Sequence, residues 1–150
     1  MIDSIIILNN YGNVRLSRFY TTKDCALQQK ILKETFKLIS GRGDNMCNFI
    51  EGSHTDICEE GKKIVYRNYA TLFFVFFIDS GESELGILDI IQMFVEVLDS
   101  CYQDVCELDL VFNFDKINYI LDEIVQGGLI VETRKSAVIE SVKKMKLKRQ

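Results

Sequence analysis

The chain has one histidine, no proline, and five cysteines among which no Cys-x-x-Cys pair occurs. The first and last of these scarcities remove whole classes of function. A metal centre needs clustered nitrogen and sulfur donors, whereas Cys25, Cys47, Cys58, Cys101 and Cys106 are scattered and only His54 could join them. The cysteines therefore read as reduced, structural thiols, and neither a metal nor a cofactor is expected. A Cys–His nucleophile pair would have to combine His54 with Cys47 or Cys58. His54 sits in a polar stretch with Asp56, Glu59 and Glu60, which reads as an exposed loop histidine. No nucleophile elbow, Gly-x-x-x-x-Gly-Lys or Gly-x-Gly-x-x-Gly run is present, and Gly41-Arg42-Gly43 is too short to cradle a phosphate. The acid pairs Glu107/Asp109 and Asp122/Glu123 read as helix-terminus and surface carboxylates, and Arg42-Gly43-Asp44 is a tripeptide match too short to carry weight. The chain reads as no enzyme. The lack of proline has no physical explanation in the pattern.

Long apolar runs are missing too. The longest, Tyr69 to Ile78 interrupted by Thr71, is half the roughly 20 residues of a membrane-spanning helix and reads as a buried strand. The opening Met1-Ile2-Asp3-Ser4 carries an acid where a secretory signal carries bases, so a cytoplasmic chain is expected. Charge is uneven: residues 1–133 hold 11 basic and 21 acidic side chains, and residues 134–150 hold 7 basic and one acidic. An acidic body argues against nucleic acid as partner. The basic tail reads as a solvated terminal helix, with contact to anionic lipid as the sharper alternative.

What is present is one domain's worth of chain, residues 1–150, at 47% hydrophobic and 27% charged, an average globular composition. Ile5 to Leu8 and Val14 to Tyr20 flank a turn-like Asn9-Asn10-Tyr11-Gly12-Asn13 and predict a hairpin. Thr22 or Asp24 caps a helix in which Leu27, Ile31, Thr35 and Leu38 recur, closed by Gly41 and Gly43. Asn48 to Glu51, Lys63 to Tyr69 and Leu72 to Ile78 read as strands. Asp89, Gln92, Glu96, Asp99 and Gln103 form the single polar stripe of an otherwise apolar central helix. Glu107 to Phe112 is short. Ile117, Ile120, Leu121, Ile124 and Val125 predict a helix stopped by Gly127-Gly128, and a basic amphipathic helix follows from about Thr133. The order is ββαβββ with helices at the C-terminal end: an α+β fold on a five-stranded antiparallel sheet. The broad apolar face of the central helix suggests a protein partner.

Several runs resemble the sigma subunits of heterotetrameric clathrin-type adaptors: Asn13 to Tyr20, Asn48 to Glu51, Ile64 to Ala70, Phe94 to Leu98 and Val105 to Phe114. The stretch Asp79 to Asp89, with Gln126-Gly127-Gly128, is most similar to the sigma chain of the third adaptor complex. The resemblance covers nearly the whole chain and implies a longin-like fold. It also implies a cytoplasmic assembly with two large chains and one medium chain, peripheral on Golgi, endosomal and vesicle membranes, sorting cargo towards lysosome- or vacuole-related organelles. Sigma chains help read acidic dileucine signals in cargo tails. Carried over by position, the leucine pocket would be lined by Ala70, Leu72, Val95, Val105 and Leu110. Arg15 would meet the signal's acid, and Asp104 would stand at the rim where some members have a neutral amide. Ordinary core packing is the alternative for each pocket residue. A longin-type small chain of another trafficking assembly, a coatomer or a tethering complex, is the alternative for the whole chain.

Overall fold

The computed structural model describes residues 1–42, 48–52, 55, 57–103 and 105–149. Strands β1 (Ile2–Asn9), β2 (Val14–Phe19), β3 (Phe49–Glu51), β4 (Lys63–Tyr69) and β5 (Leu72–Ile78) form one antiparallel sheet in the order β2-β1-β5-β4-β3. The expected α+β architecture and its ββαβββ order are what the chain adopts. β1 and β5 lie at the centre, and their near-continuous apolar sequences follow from burial on both faces. Ile5, Ile7, Phe74 and Phe76 point to one side, while Ile6, Leu8, Val75 and Phe77 point to the other.

Helix α1 (Cys25–Ser40) covers the second of these faces through Ile31, Thr35 and Ile39. Its start is set by Asp24, whose Oδ1 accepts from the Leu27 amide at 2.7 Å, and it closes at Gly41. The opposite face carries α2 (Glu84–Tyr102), with α4 (Phe114–Ile124) and α5 (Lys135–Arg149) beyond it. The polar stripe of α2 is as narrow as its sequence indicates, because the helix is packed on two sides: the sheet takes one, α4 and α5 the other. Most of its apolar surface is therefore covered within the chain. The basic C-terminal helix, expected to be solvated, is instead docked on one side, with Val138 and Val142 each 1% exposed against the core.

One predicted boundary moves. Gly127-Gly128 does not stop α4, which ends at Ile124. Both glycines have positive φ, +59° and +86°, and they form the turn of a small hairpin, β6 (Val125–Gln126) with β7 (Leu129–Ile130). Gly128 is needed for a second reason: its carbonyl accepts from the Ile2 amide at 2.8 Å, and a Cβ there would stand 2.5 Å from the Ile2 carbonyl oxygen. The hairpin thereby braces the start of the central strand.

Candidate functional site

The site lies where the β1–β2 hairpin, the β4–β5 turn and the end of α2 meet α3 (Glu107–Phe112). Its acid end is built first by an irregularity. Leu8 pairs with Val14 and Ile7 with Leu16, so Arg15 is the extra residue of a bulge and its side chain is turned out of the regular ladder. Arg15 reaches α3, where Nε donates to Glu107 Oε1 at 2.6 Å and Nη2 makes an ion pair with the same oxygen. Asn9 Nδ2 donates to that oxygen as well, at 2.7 Å. Asn9 is fixed in turn, since its Oδ1 accepts from the amides of Tyr11 and Asn13 and its residue is 2% exposed. Three donors thus converge on one carboxylate oxygen.

The apolar end adjoins it directly. Leu72 opens β5 opposite Asn9 in the sheet register. Leu72, Val95, Val105 and Leu110 are 0%, 2%, 2% and 1% exposed and belong to one packed cluster. The structure brings these four together, from β5, α2, the segment after α2, and α3. Ala70 stands apart: it is exposed in the two-residue turn between Tyr69 and Leu72, with φ +54°, a left-handed conformation that an alanine adopts at a cost of roughly 1–2 kcal/mol. In this conformation the four apolar side chains are packed between helix and sheet. Asp104, expected at the rim, lies outside the described residues, as do His54 and Cys47 of the thiol-enzyme alternative.

Sequence reasoning missed three residues here. Asp99, part of the α2 stripe, takes the Tyr69 hydroxyl on Oδ2 at 2.6 Å and the Val105 amide on Oδ1 at 2.9 Å, joining the end of β4 to the segment that leads into α3. In sequence, Asn9 reads only as a turn residue and Glu107 only as a helix-terminus acid. Tyr102 ends α2 with its hydroxyl buried and without a partner in the described structure; burial pushes its pKa up to about 12. The Cys58 thiol, on the α1 side, is pushed up to about 11, again by burial first, which suits a structural role.

The Glu107 carboxyl is held below its ordinary pKa by the Asn9 hydrogen bond first, with Arg15 adding to it against the opposing effect of desolvation. A depressed folded pKa stabilises the fold above the unfolded value of about 4.3 and loses that contribution as pH falls through the folded value. Acidification below about pH 4 is thus expected to loosen α3 from the hairpin. Carbon-detected NMR titration of the Glu107 carboxyl checks this, and a midpoint at the ordinary glutamate value would contradict the geometry.

Comparison with known proteins places this arrangement in a family. The clathrin adaptor complex small chain family matches residues 1–149, and the chain belongs to it. The relatives are more particular. The chain is 51% identical over 142 residues to the human AP-3 complex subunit sigma-2, covering 95% of this chain and 73% of that one. It is 51% identical over 142 residues to the Dictyostelium discoideum AP-3 complex subunit sigma, covering 94% and 83%. With the Arabidopsis thaliana AP-3 complex subunit sigma it shares 39% identity over 145 residues, covering 97% and 86%. In three dimensions it is similar to a chain of a homology model of the full-length AP-3 complex in a stretched open conformation, with TM-score 0.76 and 39% identity over 99% of this chain and 95% of that one. The chain is thus an adaptor small subunit of vesicle transport, with the longin-like fold its sequence implied. Among the described residues no helix is long and apolar enough to cross a membrane.

Proposed function

We propose that this chain is the sigma subunit of an AP-3-type adaptor complex, assembled with two large chains and one medium chain. It works by binding, without catalysis, as a cytoplasmic component held peripherally at Golgi, endosomal and vesicle membranes. Within the complex it contributes to reading acidic dileucine signals in cargo bound for lysosome- or vacuole-related organelles. The observation that carries the reading is the 51% identity to AP-3 sigma chains over 142 residues. The cargo role is supported by adjacency: the Arg15 and Asn9 donors sit beside Leu72, so an acid and a following apolar pair could be held by neighbouring parts of one surface.

The reading is tested by affinity purification of the tagged chain from its own cells, with mass spectrometry of stoichiometric partners. Two large chains and one medium chain support it; a monomer or a different partner set overturns it.

The partner face is proposed to include α3. Leu108, Val111 and Phe112 recur at helical spacing and are 62%, 49% and 78% exposed, and Phe114 follows at 49%. Only Leu110 of α3 is buried. An apolar face of this kind on a small domain fits the buried centre of an interface, where aromatic residues supply most of the binding energy. Phe112→Asp is expected to reduce recovery of a large chain at least about tenfold, as for an interface hot spot, while the isolated chain keeps its circular dichroism spectrum. Undiminished recovery would remove α3 from the interface.

A further inference from the structure

The carboxylate on Arg15 belongs to the chain itself, and that changes how an external acid could bind. Arg15 and Glu107 are 30% and 26% exposed at their side chains, so both reach water and an incoming ligand. The site they form with Asn9 has the composition of an anion site: a guanidinium offering two nitrogens and a fixed amide, all directed at one oxygen. Glu107 also comes from the least anchored element nearby. α3 is six residues long, buries Leu110 alone, and exposes its remaining apolar side chains. Short elements with so little burial open at low free energy compared with the core. The same element carries Leu110, and Val105 lies two residues ahead of its first residue, so moving α3 would uncover two of the four packed apolar residues while withdrawing Glu107 from Arg15.

We propose that Glu107 is an internal stand-in for the carboxylate of an acidic signal, so that the signal binds by exchange at Arg15 and Asn9 and not by addition to a vacant cation. The inference rests on the reading that Arg15 receives the signal's acid. Exchange has a definite electrostatic consequence. When one carboxylate replaces another on the same guanidinium, no net ion pair is gained, and the acid contributes selectivity of position more than affinity. Removing the internal charge converts exchange into addition, and the signal's acid then gains a full ion pair.

Glu107→Gln is the variant that separates these cases. Its amide oxygen can still accept from Asn9 and Arg15, which keeps α3 in place, while the competing charge is gone. The measurement is fluorescence anisotropy on the complete complex purified from its own cells. Two peptides are compared, one with a glutamate a few residues ahead of a Leu-Leu pair and one with that glutamate replaced by glutamine. Glu107→Gln is expected to bind the acidic peptide about threefold to fivefold more tightly than the parent, with no change for the neutral peptide. The gain should shrink as salt is raised, because it comes from a partly exposed ion pair. Glu107→Ala, assayed beside it, is expected to show the same preference for the acidic peptide and serves if the glutamine variant does not assemble. No gain in either variant, or an equal gain for both peptides in Glu107→Gln, overturns the exchange. Arg15→Gln made in the Glu107→Gln background distinguishes that result from failure of the underlying reading: if the double variant binds the acidic peptide as tightly as Glu107→Gln does, the acid subsite itself is wrong and the exchange falls with it.

Discussion

Val95→Asp is expected to unfold the chain, or at least to remove it from the soluble, assembled pool. Val95 is 2% exposed and packed with Phe74, Phe94, Leu72 and Leu110 in the cluster between α2 and the sheet. An ionised carboxylate placed there, among buried apolar side chains, would lose its hydration. Burying a charge without a partner costs several kcal/mol even after relaxation, and a neutralised aspartic acid still leaves its polar oxygens unpaired. A loss of more than about 4 kcal/mol is most of the stability of a marginal domain, whose whole margin is about 5–15 kcal/mol. The check is soluble yield together with a thermal melt of whatever chain is recovered. The result also bears on the proposed pocket. A variant that folds with the parent's melting temperature would show that Val95 borders an accessible space, and its peptide affinity could then be read directly. A collapsed yield would show that, in the free chain, the leucine-binding surface exists only as core.

This ambiguity was present in the sequence, because a leucine pocket and a hydrophobic core select the same residue types. Leu72, Val95, Val105 and Leu110 satisfy both descriptions equally. The elements themselves were far more legible. The unbroken apolar runs of β1 and β5, the Asp24 cap of α1 and the polar stripe of α2 are all local features of the sequence, so nine of the elements could be read in order. The β6–β7 hairpin could not, since two-residue strands show no period and a Gly-Gly pair signals a helix stop and a tight turn alike. Sequence left open whether the sheet or a partner takes the apolar face of α2, and the choice is tertiary: the sheet takes one side, and α4 and α5 fold back over the other. The exposed apolar face is on α3, where the short sequence gave no sign of which side would be left open. The acid end was hidden most completely. Glu107 lies 92 residues from Arg15 and 98 from Asn9, and it is the bulge at Arg15 that turns the guanidinium toward it. A bulge leaves no mark in composition, so the meeting of these three residues is legible only in the fold.

Phe74→Ala is the second change with a large expected effect, and it tests whether α2 and the central strand act as one unit. Phe74 sits in β5 with Ile7 on one side and Arg67 on the other, is 0% exposed, and meets Phe94 of α2 edge to face with ring centroids 6.1 Å apart at 68°. Truncation removes the largest side chain at that point of the helix–sheet contact, and neighbours on a paired central strand cannot move in to fill the space. A loss of about 3–5 kcal/mol follows from transfer and cavity contributions together. For a chain of this length each kcal/mol lowers the melting temperature by roughly 2–4 °C, so a fall on the order of 10 °C is expected. Part of that loss is specific to the ring pair. Phe94→Ala should be destabilising on its own, and the double variant should fall short of the sum of the two by about 0.5–1.5 kcal/mol, the coupling of an edge-to-face pair. Strict additivity would mean that the two rings serve α2 and the sheet separately. In the assembled complex the single variant should recover part of its melting temperature, because partners that bind only the folded chain stabilise it by mass action. Recovery confined to the complex would tie the stability of this core to assembly, as the exposed face of α3 leads one to expect.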